Sequence, residues 1–125
     1  MKALRSISLV AALVGSLAAT SAFAGAIHDA NLFTNQVPRN DDSFVGPVSL
    51  GFGANINGTT YNQTYVNNNG NITFTGGLST FTPSAISSGA FGPIIAAFFA
   101  DVDTRSITSD VVRYGAATLG GQNVF

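Results

Sequence analysis

Residues 48–56 read VSLGFGANI, with Val48, Leu50, Phe52, Ala54 and Ile56 alternating with Ser49, Gly51, Gly53 and Asn55. A period of two gathers the five apolar side chains on one face of an extended strand and would scatter them around a helix. Asn57-Gly58 follows. That dipeptide suits a two-residue hairpin turn, because both central positions need positive φ, so the chain is predicted to fold back there. The return segment, TTYNQTYVN, places Tyr61, Gln63 and Tyr65 on one face and runs into a second Asn-Gly pair, Asn69-Gly70. Residues 71–75, NITFT, supply a third strand. A two-residue turn at 69–70 would set Tyr65 opposite Phe74 as an aromatic cross-strand pair. The expected fold class is all-β, an antiparallel meander within a β-sandwich-like domain.

Downstream, residues 76–93 are rich in glycine, proline and small polar residues and read as a long connection. The apolar run IIAAFFADV, bounded by Pro93 and by aspartates, suits a central strand covered on both faces. DVVRYGAAT reads as another strand, Gly120-Gly121 as a turn, and QNVF as the opening of a strand with no following partner. On this reading the domain is incomplete at its C-terminus.

The chain begins MKALRSISLVAALVGSLAATSAFA, in which Lys2 and Arg5 precede an apolar stretch and Ala22-Phe23-Ala24 places small residues where signal peptidase reads them. Residues 1–24 are therefore read as a secretory signal peptide, 25–39 as an N-terminal lead and 40–125 as the domain. The apolar stretch falls short of the ~20 residues that span a bilayer, so no membrane span is expected in this chain. Past residue 24 there is no lysine or glutamate, and three arginines stand against six aspartates. Nucleic acid is a poor partner for such a balance, since phosphate binding needs clustered Lys and Arg. Cysteine is absent, so no disulfide can staple the fold and stability must come from packing or bound ions.

The order of these signals resembles the nidogen-like extracellular (NIDO) domain. Tyr65, Val66, Asn67, Asn69, Gly70, Ile72 and Phe74 fit its hairpin motif, and Pro93 to Ala96, Phe98, Ala100, Asp101, Val102, Asp103 and Arg105 fit a second motif. The likeness covers roughly residues 40 to 125, and Phe99 stands where the family often has tryptophan. It implies a secreted, non-enzymatic module of cell-matrix adhesion, whose partner would be extracellular matrix, polysaccharide or a cell-surface component. The signal sequence looks bacterial. Bacterial relatives often carry a C-terminal sorting segment of the PEP-CTERM kind, which would here lie beyond Phe125.

The candidate chemistry centres on Asp101, Asp103 and Arg105. An extended backbone puts these three on one face and Val102 on the other, with the carboxylates about 6 to 7 Å apart. Such a pair repels unless a positive charge sits beside it. Arg105 can supply that charge as an ion pair, and calcium can supply it through oxygen ligands. The ion pair is the plainer reading, because no Asp-rich loop of calcium-binding spacing is present; a calcium-assisted carbohydrate-binding module is the alternative. Two aspartates at this separation also resemble a glycosidase acid/base pair, yet neighbours on one strand flank a scissile bond poorly. His28 is the only histidine, too little for zinc or for a catalytic triad in a chain without cysteine. Asn57, Asn62 and Asn71 each open an Asn-x-Thr acceptor, although Asn57 and Asn71 also sit where turns favour asparagine.

Overall fold

A computed structural model describes residues 32–86 and 89–125. The segment read as a signal peptide, His28 and the start of the lead lie outside the described residues.

Among the described residues eight strands follow one another: β1 (Asn35–Gln36), β2 (Phe44–Ile56), β3 (Thr59–Asn67), β4 (Asn71–Thr73), β5 (Ile94–Ala96), β6 (Arg113–Tyr114), β7 (Ala117–Leu119) and β8 (Gln122–Val124). They form a four-stranded sheet in the order β2-β3-β4-β5 and two two-stranded ribbons, β1-β6 and β7-β8. All pairings are antiparallel. The chain is all-β, and its meander is β2-β3-β4.

Alternation in β2 does what its period requires: Leu50 is buried and Val48, Phe52, Ala54 and Ile56 are half-buried, while Ser49, Gly51, Gly53 and Asn55 are exposed. The strand begins earlier than its alternating stretch and takes in Pro47. Proline is tolerated there because β2 is an edge strand and its register with β3 shifts between Val45 and Val48. At the first turn Ile56 faces Thr59, with φ of 51° at Asn57 and 87° at Gly58, the predicted two-residue hairpin.

The second turn differs from its prediction. Asn67 faces Asn71 and Tyr65 faces Thr73, so the loop holds three residues and Tyr65 does not oppose Phe74. Only Gly70 in that loop has positive φ, at 77°. This is the pattern of a three-residue hairpin loop ending in a left-handed glycine. The two aromatics find other partners: Tyr65 meets Phe44 edge-on with ring centroids 6.0 Å apart, and Phe74 lies 5.2 Å from Tyr61.

The apolar run at 94–102 is also corrected. Only Ile94–Ala96 is strand, and it is an edge of the sheet, with Ile95 49 % and Phe98 69 % exposed. Past Ala96 the backbone turns toward the second turn, where Phe98 N–H donates to Gly70 O at 3.2 Å and Ala100 N–H to Asn69 O at 3.3 Å. Those bonds take the place of a sheet ladder. Phe99 packs on Phe91, ring centroids 5.7 Å apart, so phenylalanine fills an aromatic role there. DVVRYGAAT divides into β6 and β7 around Gly115, and β8 closes on β7 through the Gly120-Gly121 turn.

Among the described residues, the buried ones are mostly polar. Val37, Leu50, Val66 and Phe74 form the apolar core, beside buried Thr64, Asn67, Asn68, Asn69, Asn71, Thr73 and Thr104. A buried amide or hydroxyl without a partner costs about 1–3 kcal/mol, and among the described residues none is left unsatisfied. Hydrogen-bond geometry therefore selects this packing as much as apolar contact does.

Candidate functional site

Four of those buried residues belong to one pentapeptide, Asn67-Asn68-Asn69-Gly70-Asn71. Asn67 looks inward: its Nδ2 donates to Asn71 Oδ1 at 2.7 Å and Thr73 Oγ1 at 3.1 Å, and its Oδ1 accepts Leu78 N–H at 2.8 Å. Asn68 and Asn69 reach outward to two distant loops. Asn68 Nδ2 donates to the carbonyls of Asp41 and Val102. Asn69 Nδ2 donates to Asp42 Oδ1 at 3.0 Å and Thr80 O at 3.1 Å, while its Oδ1 accepts Val102 N–H at 2.9 Å. A side chain with both donor and acceptor is needed for such bridging, and a carboxylate could only accept. Gly70 is obligatory, since a Cβ would lie 1.6 Å from Phe98 O.

The two loops, 38–43 and 101–109, are also fastened to each other. Thr104 N–H and its hydroxyl both donate to Asn40 O, at 2.9 and 2.8 Å, and Asn40 N–H donates to Thr104 Oγ1 at 3.0 Å. Arg39 spreads its guanidinium over the second loop, donating to the carbonyls of Thr104, Ser106, Ser109 and Ile107. It thus acts as a clamp on backbone oxygens, using the fixed fork of its donors.

This clamp gathers acid. Asp101, Asp103 and Arg105 are exposed while Val102 is half-buried and Thr104 buried, the alternation expected of an extended backbone, although the segment joins no sheet. Arg105 binds Asp103 through two contacts, Nε to Oδ1 at 2.9 Å and NH2 to Oδ2 at 2.7 Å. The same NH2 lies 2.9 Å from Asp41 Oδ2. Asp101 stands apart from that pair and belongs instead with Asp41 and Asp42, one carboxylate oxygen from each lying within 4.8 Å of the others. The ion-pair arrangement of Asp103 with Arg105 is present, and the two aspartates singled out in the sequence are divided between two groupings.

Electrostatics separate Arg105's two partners. Side-chain hydrogen bonds from Arg105, aided by its backbone N–H, hold the Asp103 carboxyl down at about 2. Asp41 is pushed up from its ordinary value, first by lost hydration and then by repulsion from Asp103, Asp42 and Asp101, against which one shared guanidinium is insufficient. Asp103 and Asp41 together hold the Arg105 guanidinium more firmly protonated.

Arg39, Asp41 and Asp42 were not among the candidate residues of the sequence, because nothing in NQVPRNDDS fixes a spacing relative to Asp101. One signal was available. With so few charges in the chain, the Asp-Asp and Asp-Val-Asp segments are its two densest acidic points.

Among the described residues no helix is long and apolar enough to cross a membrane. Among curated proteins and among solved structures, nothing matches the chain. A family model described as NIDO related matches residues 17–123, a span that takes in both motifs and the whole four-stranded sheet. The chain belongs to the NIDO-related family.

Proposed function

We propose that this chain is a secreted, non-enzymatic adhesion module that holds extracellular matrix, polysaccharide or a cell-surface component. One observation carries the reading beyond family membership. From Ser43 to Ala100 the sequence has no acidic, basic or histidine side chain, yet Phe44, Phe81, Ile86, Ile95 and Phe98 of that stretch are exposed. An uncharged surface with protruding apolar groups suits sustained contact with another surface. Six of the eight charged side chains among the described residues, Arg39, Asp41, Asp42, Asp101, Asp103 and Arg105, belong to the clamped corner, with Asp110 and Arg113 just past it; the corner's hydrogen bonds are spent on holding loops, which favours a structural role there over a catalytic one.

The test is adhesion of the full chain, after export, to immobilised matrix and polysaccharide. Retention should be saturable, should leave the ligand chemically unchanged, and should vary little between low and moderate salt, because few charges are available to be screened. Turnover of the ligand, or steep salt dependence, would sink the reading. Intact mass of the exported protein should lack residues 1–24.

A second reading, calcium-assisted carbohydrate binding, is favoured by the grouping of Asp41, Asp42 and Asp101, three carboxylates of the kind calcium prefers. A rise in melting temperature with millimolar calcium, absent in Asp42→Asn, would support it. With Arg105 as the counter-charge of the corner, calcium should leave melting unchanged.

A further inference from the structure

β4 pairs with β3 only over Tyr65–Asn67. Toward the hairpin tip, residues 60–63 of β3 keep their β4-side edge free of any described strand. Beside that edge lies a concavity of about 530 Å³ lined by Ser49, Thr60, Tyr61, Asn62, Gln63 and Phe74. Its volume falls within the ~300–1,000 Å³ of small-ligand clefts. It sits some six residues along β3 from Asn68, about 20 Å at ~3.3 Å per residue, well away from the acidic corner.

The lining narrows the ligand class. None of the six residues is charged, so a phosphate, sulfate or carboxylate would find no counter-ion. Hydroxyl and amide groups predominate, so a lipid chain would leave them desolvated and unpaired. Thr60, Asn62 and Gln63 are exposed, and their side chains make no hydrogen bond to another described residue. Tyr61 is half-buried and held against buried Phe74 at 5.2 Å with a 42° tilt, which fixes an aromatic ring at little entropic cost. A fixed ring with the Gln63 amide and the Ser49 hydroxyl on the same face, groups that both donate and accept, matches a sugar ring, with its C–H face and hydroxyl rim.

The free edge could instead take a strand from a second copy. The bulge opposite it argues against this, because β2 slips in register between Ser49 and Ala54, and bulges twist an edge away from flat pairing. We propose that the groove beside residues 60–63 binds a neutral glycan chain, without calcium. This rests on the adhesion reading and names its ligand class.

The experiment is an NMR titration of the full chain with cellohexaose, laminarihexaose and chitohexaose, each at millimolar concentration, alongside the adhesion assay. At least one should shift the amide signals of Thr60–Gln63, and chelator should leave the effect intact. Gln63→Ala, at an exposed position, should weaken binding about five- to tenfold, whereas Asn62→Ala, on the opposite face of the strand, should leave it unchanged. Tyr61→Ala should abolish it. No shift with any of the three, or shifts confined to Asp41, Asp42 and Asp101, would overturn the proposal; adhesion persisting in that case would leave the adhesion reading standing. Adhesion lost while the shifts remain would remove the adhesion reading alone. Signals at 60–63 that broaden with protein concentration and ignore glycan would assign the edge to a second copy and also overturn the proposal.

Discussion

The hairpin of β2 and β3 and the corner built from loops 38–43 and 101–109 are held by opposite means. The hairpin has no charged residue, and its contacts come from alternation and a two-residue turn. The corner has little regular structure, and side chains reaching backbone atoms some 27 to 70 residues away hold it. Local pattern is enough where the backbone satisfies itself in a ladder. Where the chain leaves the ladder, each buried polar backbone group needs a side chain sent to meet it. The asparagine turn belongs to both regions, so changes there should test whether they depend on each other.

Gly70→Val should have the largest effect. A left-handed φ and a Cβ 1.6 Å from Phe98 O together predict a loss of about 3 kcal/mol or more, or failure to fold. Gly76→Val is the control, since Gly76 has no positive φ and nothing lies within 4 Å of its added Cβ. Gly77 is unsuitable, because its Cβ would meet the Phe44 ring at 2.2 Å. Similar denaturation midpoints for the Gly70 and Gly76 variants would refute the three-residue turn.

Asn69→Ala comes next. It removes the partners of Val102 N–H, Thr80 O and Asp42 and should cost about 2–3 kcal/mol. Hydrogen exchange should rise at Val102 before it rises at Tyr61, if the corner fails ahead of the hairpin. Arg39→Ala should cost about 1 kcal/mol and open residues 104–109 alone, with hairpin protection unchanged. Uniform loss of protection in that variant would mean that the two regions are one cooperative unit.

Acid gives the smallest and most local effect. Asp103 is held at about 2 against an ordinary 3.8, so its stabilisation is complete above 3.8 and disappears as pH falls through about 2. Asp41 is raised, so its contribution has the opposite sign, present below 3.8 and lost as pH rises through its folded value. Melting temperature measured from pH 3.8 down toward 2 should fall less in Asp103→Asn than in the unmodified chain. Equal slopes would detach the Arg105 pair from stability.

These regions also differ in how far they could be read from residue order. Alternation at 48–56 and the Asn57-Gly58 turn are local statements, and the hairpin follows from them. Asn69-Gly70 carries the same dipeptide, but there both Asn68 and Asn69 are drawn inside to serve distant loops, and that demand adds the residue that shifts Tyr65 from Phe74 to Thr73. Composition cannot distinguish the two cases. The apolar run after Pro93 looked like a central strand because its residue types are right for one. Its length in sheet is limited by the carbonyls of Asn69 and Gly70, which lie far back in sequence and take up the N–H groups of Ala100 and Phe98. Likewise Asp103 and Arg105 were legible as neighbours, whereas the approach of Asp41 and Asp42 to Asp101 depends on Arg39, Asn40 and Asn68 spanning the gap between loops.

The asparagine turn also sets an order of events in time. Its bonds to Asn71 and Thr73 close small loops, whereas its bonds to Asp41 and Val102, like those of Arg39, close long ones, and loop closure entropy must be overcome before long-range contacts contribute. The hairpin can therefore form without the corner, whereas the bonds of Asn68 and Asn69 to the corner need the turn in place. Interactions made after the rate-limiting step act on unfolding rather than folding. With the corner closing after that step, Arg39→Ala should speed unfolding and leave the folding rate unchanged, while Gly70→Val should slow folding.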